Sequence, residues 1–237
     1  MRKRLFSRAL LPLAALLGLL SIAALDGRAA GAPDLTPEEE ENSKTILRPA
    51  RYDDSDDKIE LAVFFWYGCG ACRESDPMTS MFVNSLPDDV RVERLPALFD
   101  SMAPFETHGR LFLVLDELGV EPGARQAAFD TAQQVNNPNR RGYGLLSRES
   151  QETFAAAQGI PRAAFNAAYD SPAVRGRETR IRNFMASSDL DAVPAMVING
   201  RYTITFFHGP GYYQLAEKLI ASERERLAAA AAGAGAE

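Results

Sequence analysis

The sequence predicts an α/β fold in which a strand–helix–strand unit is interrupted by a long helical stretch before its last strands. Three observations carry this. A continuously apolar run at residues 61–67 stops at Gly68, and a helical pattern starts at once. From 104 to 190 no strand-like run occurs, and apolar residues recur at helical spacing. Strand character then returns at 195–198 and 202–206 around Asn199-Gly200, a strong hairpin signal.

The chain has 237 residues. It begins with Arg2, Lys3, Arg4 and Arg8, then an apolar run at 9–25, then the small residues Ala29, Ala30, Gly31 and Ala32. These are the three parts of a secretory signal peptide, read here as residues 1–30. The alternative is an uncleaved anchor, since the run lies at the short end of a membrane span. Removing residues 1–30 takes away five positive side chains and Asp26, so the net charge of −6 becomes −10. Such a balance argues against nucleic acid or an anionic membrane surface as partner. Export would place the chain where disulfides persist.

The elements follow in order. Residues 33–42 are acidic and Pro-bearing without an apolar period, and read as part of a flexible lead-in over 31–44. A short strand is expected at 45–47, stopping before Pro49. The strand at 60–67 is apolar without alternation from Leu61 on, as for a central strand covered on both faces. A helix over 69–86 follows, with Met78, Met81, Phe82 and Leu86 at helical spacing and a kink expected at Pro77. A strand at 90–95 ends at Pro96. Four or five short helices fill 104–190, and a last helix runs over about 211–227, with Tyr213, Ala216, Leu219 and Ile220 on one face. The Ala/Gly tail at 229–237 is expected to fray.

The chemistry concentrates in I-E-L-A-V-F-F-W-Y-G-C-G-A-C, which holds the only two cysteines, Cys69 and Cys72. A buried strand that stops at a C-x-x-C opening a helix is the layout of a dithiol/disulfide centre. Cys69 falls where unpaired backbone N–H groups and the positive end of the helix dipole favour a thiolate. Cys72 lies one turn on, close enough to close a disulfide, and is expected to be more buried. That assigns Cys69 as attacking nucleophile and Cys72 as resolving cysteine. Gly70 and Ala71, between them, leave the thiolate environment open and add no positive charge. C-x-x-C is also half a zinc site, but His108 and His208 stand a hundred residues apart and read as ordinary, partly exposed residues. An inert structural disulfide is the other alternative. Trp66 reads as core, whereas Tyr67 fits core or substrate rim equally. A second constellation, Ala192-Val193-Pro194-Ala195-Met196, places a proline directly before a strand, where it suggests a fixed and even cis bond.

F-F-W-Y-G-C-G-A-C, a long helical stretch and V-P-A-M-V-I-N-G-R-Y together resemble the DsbA-type branch of the thioredoxin superfamily, over about residues 45–227. The resemblance implies a thioredoxin-like α/β fold with an inserted α-helical domain. Residues 45–103 and 191–228 would form the thioredoxin-like domain and 104–190 the insertion. It implies a cis Val193–Pro194 bond packed against the cysteines, with the Val193 backbone pairing an extended substrate strand. It also implies a redox-active Cys69–Cys72 disulfide, no cofactor and no metal, a periplasmic location, unfolded or reduced secreted proteins as substrates, and a membrane-bound redox partner for reoxidation. Arg94 falls where the family often has a basic residue.

Two positions depart from the pattern. Gly70-Ala71 replaces the proline and histidine of the best-known oxidants, which points to a less stabilised Cys69 thiolate and a less oxidising disulfide. Val63 stands where those oxidants tend to carry a buried glutamate. The leading expectation is therefore an exported oxidase that introduces disulfides into folding secreted proteins. A reductase or isomerase using the same pair is the runner-up. A chaperone-like module with an apolar groove near Trp66, Tyr67 and Pro194 represents a different class.

Overall fold

The strand that carries the cysteines also organises the sheet. A computed structural model describes residues 33–100, 103–134, 142–206 and 209–234. The signal segment at 1–30 with its small-residue exit, His208 and residues 235–237 lie outside the described residues.

The elements are α1 (Pro37–Glu41), β1 (Ser43–Thr45), β2 (Ile59–Phe65), α2 (Gly70–Ser85) and β3 (Val90–Pro96). Five helices follow: α3 (Ala103–Glu117), α4 (Glu121–Ala132), α5 (Arg148–Ala157), α6 (Arg162–Tyr169) and α7 (Pro172–Ser187). The chain ends with β4 (Ala195–Ile198), β5 (Tyr202–Thr205) and α8 (Gly211–Ala234). The sheet order is β1-β5-β4-β2-β3. β2 and β3 are parallel, joined through α2, and the other pairs are antiparallel.

Every residue of β2 is buried because both faces of the sheet are covered. Leu61 and Val63 point into a core shared with Phe82 of α2 and with Tyr212, Leu215 and Leu219 of α8. Ala62 and Phe64 point the other way, into a larger core built with α3 to α7. The alternation required of a strand is present but invisible as polarity, since both sides want apolar groups. Leu111 to Leu115 are buried without interruption, which places α3 at the centre of the helical layer.

The hairpin turns at Asn199 (φ 49°) and Gly200 (φ 64°). A side chain at Gly200 would collide with the carbonyl of Ala50, so glycine is required there for space as well as for conformation. Near this turn, at the end of the sheet away from the cysteines, two carboxylates are fully buried. Glu60 accepts from the backbone N–H groups of Tyr52 (2.7 Å) and Asp53 (2.8 Å) and from Arg91 (3.0 Å). Glu223 accepts from Asn199 (2.9 Å) and Arg226 (2.8 Å).

Several local expectations change. The lead-in contains a capped helix: the Thr36 hydroxyl accepts from the Glu39 N–H, the Glu39 carboxylate accepts from the Thr36 N–H, and Lys218 of α8 bonds Glu39 at 2.7 Å. Its charge run is thus a docked cap. The first strand lies two residues earlier than expected, at Ser43–Thr45, because it pairs with β5 as an edge; Leu47 is 94% exposed. Helix α2 runs unbroken through Pro77. Helix α8 continues to Ala234, where an alanine run of high helical propensity extends a helix already anchored on the sheet.

Truncating Glu60 would leave the buried backbone N–H groups of Tyr52 and Asp53 without an acceptor, while Arg91 keeps Asp56 and the Asp53 carbonyl. Glu60→Ala is therefore expected to cost about 2–5 kcal/mol in urea unfolding, as for two unsatisfied donors; a loss below about 1 kcal/mol would show that the carboxylate does not hold the 50–58 loop to β2.

Candidate active site at the cysteine turn

Between the end of β2 and the start of α2 the chain makes a tight turn with no freedom to spare. Trp66 stacks on Phe105 with ring centroids 4.1 Å apart, and its indole N–H donates to the Pro104 carbonyl at 3.3 Å. A Cβ on Gly68 would collide with the Trp66 ring, so only glycine lets the chain fold back over it. The Cys69 N–H donates to the Trp66 carbonyl at 2.9 Å, closing the turn.

Cys69 is the N-cap of α2, with extended backbone angles, and its Sγ accepts the Cys72 N–H at 3.0 Å. The sulfur therefore occupies the place of a capping oxygen, facing the unpaired donors of the first turn. Cys69 and Cys72 form a disulfide with Cα atoms 5.2 Å apart. Cys72 is 3% exposed, whereas Cys69 is only half-buried. The Cys69 Sγ lies 3.6 Å from the carbonyl oxygen of Val193. The Val193–Pro194 bond is cis, Pro194 is buried and leads into β4, and the Pro194 carbonyl accepts from Phe206 N–H at 3.0 Å. Gly70 and Ala71 complete the turn without a charged group, and a Cβ on Gly70 would meet nothing within 4 Å.

Helix α4 of the helical stretch grips this turn through residues that sequence pattern could not single out. Gln133, its C-cap, donates from Nε2 to the carbonyls of Tyr67 (2.9 Å) and Cys69 (3.0 Å). Arg73 of α2 bonds Asp130 at 2.6 Å. Tyr67 donates its hydroxyl to Glu121 at 3.2 Å; Arg125 bonds Glu121 at 2.9 and 2.6 Å and approaches Asp76, which pairs with Arg94 at 2.8 Å. Arg94 thus braces α2 from beneath. Burial, and then the neighbouring Glu121 charge, hold the Tyr67 hydroxyl well above its ordinary range, so it stays a donor. Tyr67 is 1% exposed and packs edge-on against Phe129, which resolves its two readings in favour of core.

The apolar groove lies elsewhere than at Trp66 and Tyr67, both of which are buried. A cavity of about 350 Å³ opens on the other flank of the cysteines, lined by Ala71, Glu74, Met78, Phe206, Pro210 and Tyr213. Met78 and Met81 are 53% and 66% exposed beside it. Among the described residues, no group of three or more His, Cys, Asp or Glu could hold a metal ion. His108, expected to be partly exposed, is 1% exposed under Trp66. Its Nε2 bonds the Gly144 carbonyl at 2.8 Å, and Nδ1 has no partner among the described residues.

No protein-family model matches the chain. Curated relatives do. A thiol:disulfide interchange protein DsbA of Pseudomonas syringae is 34% identical over 178 residues, 74% of this chain and 78% of that protein. The DsbA of Azotobacter vinelandii is 35% identical, over 70% of this chain and 76% of that protein. The chain belongs to the DsbA family of thiol:disulfide interchange proteins. The crystal structure of Pseudomonas aeruginosa DsbA superposes with a TM-score of 0.67 at 29% identity, covering 79% of this chain and 94% of that one. The DsbA fold of Xylella fastidiosa superposes at 0.69 with 23% identity, covering 77% and 95%. The thioredoxin-like fold with a helical insertion expected from sequence is therefore the fold observed, and this DsbA-family chain is an oxidoreductase.

Burial pushes the His108 imidazole below its ordinary range, and the bond to Gly144 only partly offsets this. The unfolded chain thus binds a proton that the folded one excludes, so stability falls as pH drops below about 6.5. The fall continues until the folded pKa is passed. His108→Gln, which keeps a donor for Gly144, is expected to remove this component. Urea unfolding at pH 7 and pH 5.5 checks it through a smaller pH difference in the variant than in the parent protein.

Proposed function

We propose that this DsbA-family protein is an exported oxidase of folding secreted proteins, working in the periplasm through the Cys69–Cys72 disulfide. The observation that carries the reading is the Sγ of the half-buried Cys69 at a helix N-cap, joined to a buried Cys72 and flanked by the Val193 carbonyl.

In this reading a substrate thiolate attacks Cys69 Sγ. The substrate–Cys69 bond forms, the Cys69–Cys72 bond breaks, and Cys72 leaves as a thiolate that takes up a proton. A second substrate thiolate then attacks the substrate sulfur of the mixed disulfide. The substrate gains its disulfide and Cys69 leaves as a thiolate, so the enzyme has accepted two electrons. The helix N-terminus and the Cys72 N–H stabilise that leaving charge. The backbone of Val193 pairs an extended substrate segment while Pro194 shapes the floor, and the groove beside Ala71 and Met78 receives apolar side chains of a chain not yet folded. Residues 45–103 and 191–228 act as the redox domain, with 104–190 as its helical support. A membrane-bound redox partner accepts the electrons and restores the disulfide. Residues 1–30 direct export; among the described residues no helix is long and apolar enough to cross a membrane.

The reductase or isomerase reading uses the same groups, and Gly70-Ala71 is the feature that favours it, because no positive side chain there stabilises the dithiol form. Equilibration with glutathione decides. A potential toward the roughly −120 mV of DsbA supports oxidation, whereas one near the roughly −270 mV of thioredoxin would overturn it. In refolding of reduced ribonuclease, Cys69→Ser is expected to abolish turnover; retained activity would remove dithiol chemistry from the account.

A further inference from the structure

The grip of α4 on the cysteine turn runs through one side chain whose two bonds end on either side of Gly68. We infer that Gln133 is a positioning residue of the redox centre, acting on the Cys69 thiolate through the peptide that carries it. The inference rests on the dithiol reading above.

The geometry is specific. Gln133 Nε2 uses both hydrogens, one on the Tyr67 carbonyl at 2.9 Å and one on the Cys69 carbonyl at 3.0 Å. The Cys69 carbonyl also accepts the Arg73 N–H at 3.1 Å, the first backbone bond of α2, so both its lone pairs are engaged. Fixing this carbonyl fixes the plane of the Cys69–Gly70 peptide and with it the angle at which the first turn of α2 presents its N–H groups. One of those, on Cys72, reaches Cys69 Sγ at 3.0 Å. Gln133 is itself well placed to hold position. Its backbone N–H donates to Phe129, and Phe129 packs on both Phe65 and Tyr67. The donor and the turn it holds are thus tied to one core.

The two redox states use this clamp unequally. In the disulfide, the covalent bond between Cys69 and Cys72 already keeps the turn closed. In the dithiol that link is gone, and the N-cap geometry that stabilises a thiolate depends on non-covalent bonds alone. Gln133 therefore favours the reduced form over the oxidised one. Losing it makes the disulfide less oxidising and raises the Cys69 thiol pKa.

The test is Gln133→Met, which keeps length and removes the donor, with Thr131→Ala as control; Thr131 is exposed on the same helix and its hydroxyl bonds that helix's own Ala127 carbonyl. The equilibrium constant for reduction by glutathione is expected to fall about 3- to 10-fold in Gln133→Met, as for one net hydrogen bond. Ten-fold corresponds to about 30 mV. The thiolate absorbance titration is expected to move to higher pH, while the control stays within two-fold of the parent protein. If Gln133→Met fails to fold, Gln133→Asn, one methylene too short to reach both carbonyls, gives the same reading. A variant that melts lower but keeps the parent's equilibrium constant and titration would reduce Gln133 to a structural residue and overturn the inference. A parent protein that does not exchange with glutathione at all would instead overturn the dithiol reading on which it rests.

Discussion

The structure depends on a junction where a strand buried on both faces must become a helix across four residues, Trp66 to Cys69. Strand β2 cannot shift along its axis, because Leu61 and Val63 are locked into one core and Ala62 and Phe64 into the other. Helix α2 cannot begin earlier, because Gly68 has to clear the Trp66 ring first. Cys69 therefore falls at the N-cap by construction, with its sulfur where a capping oxygen would sit. A one-residue slip would flip every β2 side chain to the wrong core, so the position of the Cys69 sulfur is tied to the packing of both cores.

The helical stretch explains what this position costs and gains. A tight turn at the edge of a core leaves carbonyl lone pairs that the flanking strand and helix do not fill. Gln133 donates to the Tyr67 carbonyl and adds a second donor to the Cys69 carbonyl, which α2 engages through the Arg73 N–H, and Asp130, Arg125 and Glu121 on the same helix bind Arg73, Asp76 and Tyr67 around them. The charges in this layer alternate and are paired, so the low-dielectric flank of the cysteines carries no lone ion. The opposite flank is apolar and open, bounded by α2 and the start of α8. One side of the disulfide is thus a rigid polar brace and the other a groove able to take a flexible apolar chain.

What the sequence discloses follows from how local each signal is. The run before Gly68, the cysteine spacing, the Asn199-Gly200 turn and the helical periodicity over 104–190 are contacts between near neighbours, and the observed elements match them. Gln133 was illegible because nothing near it in sequence marks it; its partners are 64 and 66 residues away. His108 looked partly exposed because a lone histidine shows no period, and only the packing of Trp66 above it reveals its burial. The acidic lead-in misled for the opposite reason. Its charges suggested solvation, but Glu39 meets Lys218, 179 residues on, and the capping box Thr36–Glu39 was present to be read.

The Gly70-Ala71 dipeptide bears on the direction of the chemistry. Neither residue places a charge near Cys69, and the nearest basic side chain on α2, Arg73, is already paired with Asp130. What faces the sulfur is a set of backbone partial charges: the Cys72 N–H and the dipole of a 16-residue helix. Such groups contribute less than a full positive charge at the same distance and, being backbone, do not themselves titrate. In the oxidase reading proposed above, a centre stabilised this way draws its oxidising power from geometry instead of from a neighbouring cation. Its potential would then depend on how firmly the turn is held once the disulfide opens, and the brace from α4 is the part of the structure that holds it.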